Sequence, residues 1–243
     1  MRVMRPGNRL LRLLCLFCLG ATSACSPKPD PGYPTVTATP HTYSYLALGD
    51  SYTIGEGVAA EKRWPVQLAG LLGEQGYNVG EPRIVARTGW TTGELQAAIE
   101  KEDLPQTYDL VSLLIGVNNQ YRGYSLESYR QDFAGLLEQA ITFAGGDPRR
   151  VLVLSIPDWS VTPYAEGRDR EAIAAAIDAF NRANREETEK QGASYIDVTP
   201  TSRQAAQDLS LIAPDGLHPS GLMYTEWARL ALPAALLALK ASE

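Results

Sequence analysis

The sequence predicts a three-layer α/β/α sandwich built on a parallel sheet of about five strands. From residue 43 onward, short apolar runs alternate with longer amphipathic segments, which is typical of strands joined by helices. Two of these runs, 110–115 and 151–156, are apolar almost throughout, as strands covered by helices on both faces should be. Ligands of such folds bind at the carboxyl ends of the strands.

The individual elements follow from the same alternation. The predicted strands cover residues 43–48, 78–86, 110–115, 151–156 and 194–198, and the predicted helices cover 65–74, 92–101, 126–144, 168–191 and 222–239. Pro65 suits a first helical position, and Thr91 with Glu94 forms a capping box. Pro233 should kink or divide the last helix, because proline cannot donate a backbone hydrogen bond.

The composition indicates one globular domain rather than disorder. The chain has 243 residues, of which 44% are hydrophobic and 21% charged. The four basic residues before Cys25 lie in a segment that we expect to be removed, which leaves 18 basic against 28 acidic residues, a net charge of −10. Such an acidic surface repels phosphate backbones, so nucleic acid is excluded as an expected partner.

The N-terminus is typical of an export signal. Arginines precede an apolar stretch over residues 13–19, too short to span a bilayer, and small residues lead up to Cys25. Small residues directly before a cysteine resemble the lipobox of bacterial lipoproteins, although Thr22 stands where such boxes usually carry leucine. We therefore expect residues 1–24 to be a signal peptide and Cys25 to be lipidated, with ordinary cleavage after Ala24 as the alternative.

Residues 25–42 form a predicted linker. Five prolines and no apolar periodicity indicate an extended, semi-rigid tether of roughly 50 Å, which would hold the domain 43–243 clear of a membrane surface. His41 lies in this segment and is expected to be a solvated linker residue. The expected location is therefore outside the cytoplasm, anchored to a bacterial membrane through the lipid, or secreted if no lipid is attached.

Chemically distinctive residues follow the predicted strands. Gly49-Asp50-Ser51 comes after the first strand, Gly89 after the second and Gly116-x-Asn118 after the third. Asp215-x-x-His218 near the C-terminus places a carboxylate one turn from an imidazole. A hydroxyl nucleophile, amide donors and an oriented base are the groups that acyl transfer requires.

These four blocks, in this order, resemble those of the SGNH hydrolases, also called the GDSL esterase/lipase family. The resemblance covers the chain from Tyr43 onward and implies a flavodoxin-like sheet and hydrolysis of carboxylic esters. It implies that Ser51 is the nucleophile, His218 the base and Asp215 the residue that orients it. The implied oxyanion hole consists of the Ser51 N–H, the Gly89 N–H and the Asn118 side chain.

One residue departs from the family pattern. Many members have aspartate where this chain has Asn119, so the bond that this side chain makes is left open. Aromatic residues after the third and fourth strands, among them Tyr121, Tyr124 and Trp159, are interpreted equally as the wall of an acyl or sugar pocket and as loop anchors.

Several functions remain open at this stage. An exported esterase is favoured, and a glycan deacetylase or an acyltransferase would use the same residues. A non-catalytic surface lipoprotein is the remaining class, disfavoured because a binding module needs no Asp–His pair beside a serine. Two histidines and three cysteines leave little material for a metal cluster, so we expect neither a metal nor another cofactor. The sequence is silent on the natural substrate and the oligomeric state.

Overall fold

The computed structural model describes residues 41–241. The predicted signal peptide, Cys25 and most of the predicted linker lie outside these residues. Residues 41–241 contain five strands: β1 (Tyr45–Gly49), β2 (Arg83–Ala86), β3 (Leu110–Leu114), β4 (Val151–Leu154) and β5 (Ser194–Ile196). They form one parallel sheet in the order β2-β1-β3-β4-β5. This order is the flavodoxin-like arrangement implied by the resemblance, and the predicted sheet is confirmed.

Eight α-helices in the described part of the chain connect and cover the strands: α1 (Ser51–Ile54), α2 (Trp64–Glu74), α3 (Thr92–Ile99), α4 (Val117–Tyr121), α5 (Leu126–Phe143), α6 (Arg170–Gln191), α7 (Thr199–Ser202) and α8 (Gly221–Lys240). Short 3₁₀ turns occupy Ala60–Lys62, Pro148–Arg150, Trp159–Val161, Pro163–Ala165, Arg203–Ala206 and Leu209–Leu211. α2 packs on α8, while α5 packs on both α3 and α6. The helices lie on both sides of the sheet, as predicted.

The core lies between the sheet and these two helical layers. Every residue of β1, β3 and β4 is buried, which explains why two of these strands are apolar almost throughout. Trp64 of α2 and Trp227 of α8 are both fully buried in the layer that these two helices form. Polar side-chain atoms in these strands find partners on neighbouring strands. The hydroxyls of Tyr45 in β1 and Ser112 in β3, for example, hydrogen-bond each other at 2.9 Å.

The second strand is shorter than predicted. The pattern predicted residues 78–86, but β2 begins at Arg83, and only an isolated bridge between Tyr43 and Val79 precedes it. Gly80 and Pro82 account for the difference, because proline has no N–H for the ladder and glycine weakens a strand. The short β2 nevertheless ends where predicted, and the loop that carries Gly89 follows it.

The last helix is continuous through Pro233, so of the two predicted effects, a kink or a division, the division is wrong. Proline has no N–H, so Pro233 cannot donate to the Arg229 carbonyl one turn earlier. Both residues lie on the exposed side of α8. Water can therefore satisfy that carbonyl, while Trp227, Ala231 and Ala235 stay buried on the opposite side. The predicted capping box is present, with Thr91 N–H donating to Glu94 Oε2 at 2.8 Å.

Candidate active site

Ser51 lies at the junction of β1 and α1, at the carboxyl edge of the sheet. It is the first residue of α1, and Asp50 caps that helix by accepting from Tyr52 N at 3.0 Å. A Cβ at Gly49 would overlap the Leu114 carbonyl oxygen, so the close approach of this turn to β3 requires glycine. The Ser51 N–H donates to no other group among residues 41–241 and is available to a ligand.

His218 and Asp215 form a directly bonded pair. His218 Nδ1 lies 2.7 Å from Asp215 Oδ2, and the other carboxylate oxygen accepts from Leu217 N and His218 N, both at 2.9 Å. Burial raises the pKa of Asp215, but these backbone donors together with the His218 ring outweigh it and hold the pKa below its usual range. Asp215 is therefore an anion at neutral pH, oriented toward Nδ1 of the ring.

A short hairpin holds His218 in place. Ala213 N donates to His218 O at 2.7 Å and Ser220 N to Leu211 O at 2.8 Å, on either side of the Ile212–Pro219 bridge. The imidazole packs edge-on against Tyr52, with ring centroids 5.7 Å apart. With its side chain 10% exposed, His218 has little freedom to leave this position.

Gly89 lies on the loop after β2 and Asn118 in the first turn of α4, and these two segments contact each other. Asn118 Nδ2 donates to Trp90 O at 2.9 Å, and Arg122 Nη2 donates to Gly89 O at 2.6 Å. Gly89 adopts φ +86°, a left-handed conformation that favours glycine. Its N–H donates to no described residue, and one hydrogen of the Asn118 amide is likewise free of a described partner.

Asn119, the departure from the family pattern, joins α4 to the start of α3, directly after the segment that carries Gly89. It is fully buried; its Oδ1 accepts from Thr92 N at 3.0 Å and its Nδ2 donates to Thr92 Oγ1 at 2.8 Å. The Thr92 hydroxyl then donates to Asp132 Oδ2 at 3.0 Å. The Asn119 amide thus donates one hydrogen bond to Thr92 and accepts another from it. These are the bonds of the Asn119 side chain that the sequence left open.

One cavity of about 150 Å³ brings the predicted residues together. Ser51, Gly89, Asn118 and His218 all line it. Asp215 lies behind His218. No hydrogen bond links the Ser51 hydroxyl to the imidazole within residues 41–241, a common situation in unliganded sites, where such bonds tighten when substrate binds. His41 lies elsewhere, beside Tyr43 and Asp109 at the amino end of β3.

Aromatic side chains form the outer wall of this cavity. Tyr121 and Trp159, which the sequence left open between wall and loop anchor, both line it, whereas Tyr124 does not. Trp159 is also an anchor, because its Nε1 donates to Gln120 Oε1 at 2.9 Å. Tyr164 lines the cavity as well and was missed, since it lies in the 3₁₀ turn Pro163–Ala165 rather than directly after a strand.

Arg122 was also missed by the sequence analysis. Besides its bond to Gly89 O, its Nη1 lies 3.1 Å from Glu94 Oε2, so it clamps the Gly89 loop to α3. The chain separates Arg122 from Gly89 by 33 residues. The position of residues 121–124 after the third strand indicated that they lie near the ligand-binding edge of the sheet. Nothing in the sequence pattern indicated that the Arg122 side chain would contact Gly89.

Asp50, next to Ser51, is a fully buried carboxyl group. Burial raises its pKa to about 7, although the Tyr52 N–H opposes the shift. Asp50 Oδ1 is occupied as the cap of α1, and Oδ2 has no hydrogen-bond partner among the described residues. This carboxyl is therefore mostly protonated below neutral pH, unlike Asp215. Residues 41–241 contain no cluster of three or more side chains suited to hold a metal ion.

Fold and site together define a class: a flavodoxin-like α/β protein with a serine and a histidine at one cavity, an aspartate bonded to the histidine, and free amide donors beside the serine. Residues 47–225 match the model of the GDSL-like lipase/acylhydrolase family. The chain belongs to that family.

Two curated relatives show similarity over part of their length. An acetylxylan esterase of Geobacillus stearothermophilus is 26% identical over 141 residues, covering 55% of this chain and 62% of the relative. An arylesterase of Vibrio mimicus is 33% identical over 118 residues, covering 48% of this chain and 50% of the relative. The alignments thus span about half to three-fifths of the curated relatives.

Solved structures share the fold over most of their length. A crystal structure of an acetylxylan esterase from Geobacillus stearothermophilus has a TM-score of 0.61 at 20% identity, covering 79% of this chain and 94% of that chain. A lipolytic protein of the G-D-S-L family from Veillonella parvula has a TM-score of 0.61 at 17% identity, covering 78% and 96%.

Proposed function

We propose that this protein is a serine esterase that hydrolyses carboxylic esters through an acyl-enzyme intermediate. The observation that carries the proposal is the 2.7 Å bond between Asp215 Oδ2 and His218 Nδ1, with His218 and Ser51 on the wall of one cavity. Family membership and two relatives named as esterases support the same chemistry.

In the proposed mechanism, Asp215 keeps the Nδ1 proton on the imidazole, so Nε2 is free to accept the Ser51 proton. The Ser51 oxygen then attacks the ester carbonyl. The Ser51 N–H, the Gly89 N–H and the Asn118 amide stabilise the negative charge that develops on the carbonyl oxygen. His218 returns the proton to the departing alcohol, and water releases the acid from Ser51 by the same sequence of steps.

The cavity supports a short acyl group. Its volume of about 150 Å³ equals that of a protein cavity able to hold benzene. An acetyl group fits such a space beside the donors, whereas a long chain must extend outside it. The name of the Geobacillus relative, an acetylxylan esterase, favours a glycan deacetylase as the more specific form of this function.

The test compares hydrolysis of 4-nitrophenyl acetate by the wild type, Ser51→Ala and Ser128→Ala. Ser128 is exposed on α5 and serves as the matched serine control. We expect Ser51→Ala to abolish turnover and Ser128→Ala to leave it within about twofold of the wild type. Equal rates for the wild type and Ser51→Ala would overturn the proposal.

We also propose export and anchoring through a lipid on Cys25, supported by the signal-like segment 1–24 and the proline-rich linker. In the described part of the chain, no helix is long and apolar enough to cross a bilayer. Expression in a bacterium fed an alkyne fatty acid should label the wild type and not Cys25→Ala. Equal labelling of the two, or none, would contradict lipidation at Cys25.

A further inference from the structure

Arg168 lies over a cluster of three aromatic rings at the mouth of the cavity. Its guanidinium carbon is 5.0 Å from the ring centroid of Tyr164, 5.5 Å from that of Tyr121 and 5.6 Å from that of Trp159. The two tyrosine hydroxyls hydrogen-bond each other at 3.0 Å. These three rings, which we call the aromatic shelf, also line the candidate active site.

The aromatic shelf is hydrogen-bonded to the hairpin that holds His218. Tyr164 N donates to Gly216 O at 2.9 Å, which joins it to the turn between Asp215 and His218. Arg168 N donates to Ala165 O at 3.1 Å, so the backbone of Arg168 is fixed relative to the shelf. The guanidinium therefore has a defined place beside the proposed chemistry.

The charge of Arg168 has no counterion among residues 41–241. Most exposed arginines here form ion pairs, as Arg83 does with Glu102 and Arg229 with Glu226. Arg168 forms none within the described residues, and its side-chain hydrogen bond there is a long one, 3.5 Å from Nη2 to the Tyr121 hydroxyl. Asp169 follows in the chain, but its Oδ1 accepts from Ala172 N as the cap of α6.

Stacked guanidinium groups keep their donors available. An arginine on an aromatic face presents its N–H groups at the edge of its plane, in the fork that matches a carboxylate or a phosphate. On a domain with a net acidic composition, such an unpaired cation attracts anions locally. The surroundings of Arg168 therefore favour an anionic ligand.

An open groove of about 490 Å³ adjoins the cavity at this point and includes Arg168 in its lining. Tyr121 and Trp159 line both spaces. In the proposed reaction, a short acyl group fills the small cavity at Ser51, and the larger alcohol portion of the ester passes the aromatic shelf into the groove. The position of Arg168 thus corresponds to the alcohol portion of a substrate.

We propose that Arg168 binds a carboxylate or phosphate carried by the alcohol portion of the ester substrate. This inference rests on the proposed esterase function and specifies its substrate class, an anionic acylated alcohol such as an acetylated acidic sugar. Arg168 is a specificity residue in this account and takes no part in proton transfer.

The test uses two acetyl esters that differ in charge, 4-acetoxybenzoate and its methyl ester, with acetate release as the measurement. Selectivity is the ratio of kcat/KM for the anionic ester to that for the neutral ester. Intrinsic differences between the leaving groups cancel when this ratio is compared between variants. We expect Arg168→Gln to lower the ratio about tenfold, the magnitude of one charge-assisted hydrogen bond. 4-Acetoxyphenyl phosphate, compared in the same way, distinguishes phosphate from carboxylate as the preferred anion.

Arg182→Gln is the matched control, since Arg182 is another exposed arginine, on α6, without an ion pair in the described residues. It should leave the ratio within about twofold of the wild type. A loss in Arg168→Gln that is equal for both esters would show that Arg168 only braces the aromatic shelf, and would overturn the inference. So would selectivity for an anion on the acyl side, tested with 4-nitrophenyl hemisuccinate against 4-nitrophenyl butyrate.

Salt provides a readout that needs no variant. The wild-type ratio should fall between low salt and about 0.5 M NaCl, because exposed charge pairs are screened. A ratio independent of salt would overturn the inference even if Arg168→Gln failed to fold. If the wild type hydrolyses neither ester, the proposed esterase function itself fails, whereas hydrolysis without charge selectivity refutes the role of Arg168 alone.

Discussion

At the level of single residues, the two carboxylates near Ser51 differ because their surroundings differ. Asp215 accepts two backbone N–H bonds and contacts His218, so its pKa lies below the usual range despite partial burial. Asp50 is fully buried with one oxygen unpartnered, so its pKa rises to about 7. The same side chain is thus an anion bonded to an imidazole at one position and, below pH 7, a largely neutral helix cap at the other.

Asp215→Asn tests the orienting role. The asparagine oxygen can keep the bonds from Leu217 N and His218 N, which turns the NH₂ group toward Nδ1 of the imidazole. Nδ1 must then accept, so the proton moves to Nε2, and His218 can no longer take the Ser51 proton. We expect kcat to fall by about 100- to 10,000-fold, measured with a short-chain ester. A change below about threefold would contradict this orienting role.

Asp50→Asn should reveal the cost of the buried carboxyl group. The unfolded Asp50 ionises near pH 3.9, whereas the folded residue stays protonated up to about pH 7. Ionisation of Asp50 therefore lowers the free energy of unfolding of the wild type by on the order of 1 kcal/mol per pH unit between about pH 4 and 7. Above about pH 7, Asp50 is ionised in both the folded and the unfolded protein and lowers it no further. The asparagine oxygen can still cap α1, so the variant escapes this loss.

Urea unfolding between pH 5 and 8 measures the effect. The free energy of unfolding of Asp50→Asn minus that of the wild type should increase from pH 5 to 7 and then level off. Asp169→Asn, at the exposed cap of α6, is the matched control. A difference that is constant across this pH range would show that Asp50 does not titrate as described.

At the level of elements, the β3–α4 turn and the start of α3 act as one unit. Gly116 adopts φ +128°, and a Cβ there would overlap the ring of Tyr129, so the turn carrying Asn118 requires glycine. Asn119 then fastens the turn to Thr92 by two hydrogen bonds. The segment that carries Gly89 and the first turn of α4, which carries Asn118, are held together through this unit.

Asn119→Asp, which restores the aspartate found in many family members, should destabilise this chain. The introduced carboxylate can accept from the Thr92 hydroxyl but cannot donate to it, so it competes with the Asp132 carboxylate for one hydrogen inside the protein. We expect the free energy of unfolding to fall by about 1–3 kcal/mol at neutral pH. Asn78→Asp at an exposed asparagine is the control, measured by urea unfolding. Equal stability of the two variants would contradict the account.

At the level of the whole molecule, the parallel sheet explains how residues far apart in sequence meet. Ser51 and Asn118 end up at the same edge because β1 and β3 are neighbours in the order β2-β1-β3-β4-β5. His218 lies just before α8, and α8 packs on α2. Gln67 of α2 fixes the start of α8, because its Nε2 donates to Gly221 O at 3.1 Å. This packing places His218 beside Ser51 and Asn118. The fold thereby brings Ser51, near the start of the described chain, and His218, near its end, to one cavity.

Much of this was predictable because it depends on short-range patterns. Buried strands have continuous apolar runs, and glycine, serine and asparagine directly after them indicate the edge where ligands bind. The Asp215–His218 bond follows from a three-residue spacing. The helix starting at Arg170 was predicted two residues early, because Asp169 is its cap.

The rest depends on side chains that reach across loops. Arg122 contacts Gly89 and Glu94, and Arg168 contacts the aromatic shelf, but in neither case does a local pattern favour one exposed arginine over another. The environment of Asp50 was equally hidden, since its burial results from packing among elements from the whole chain. Long-range contacts of this kind are set by tertiary structure.

The most direct test of the central claim is to identify the residue that forms the covalent intermediate. The wild type would be treated with a fluorophosphonate, digested and mapped by mass spectrometry. A phosphonyl adduct on the peptide containing Ser51, assigned to Ser51 by fragmentation and prevented by excess ester substrate, is the predicted result. An adduct on a different residue, or no adduct while the enzyme still hydrolyses esters, would contradict the account.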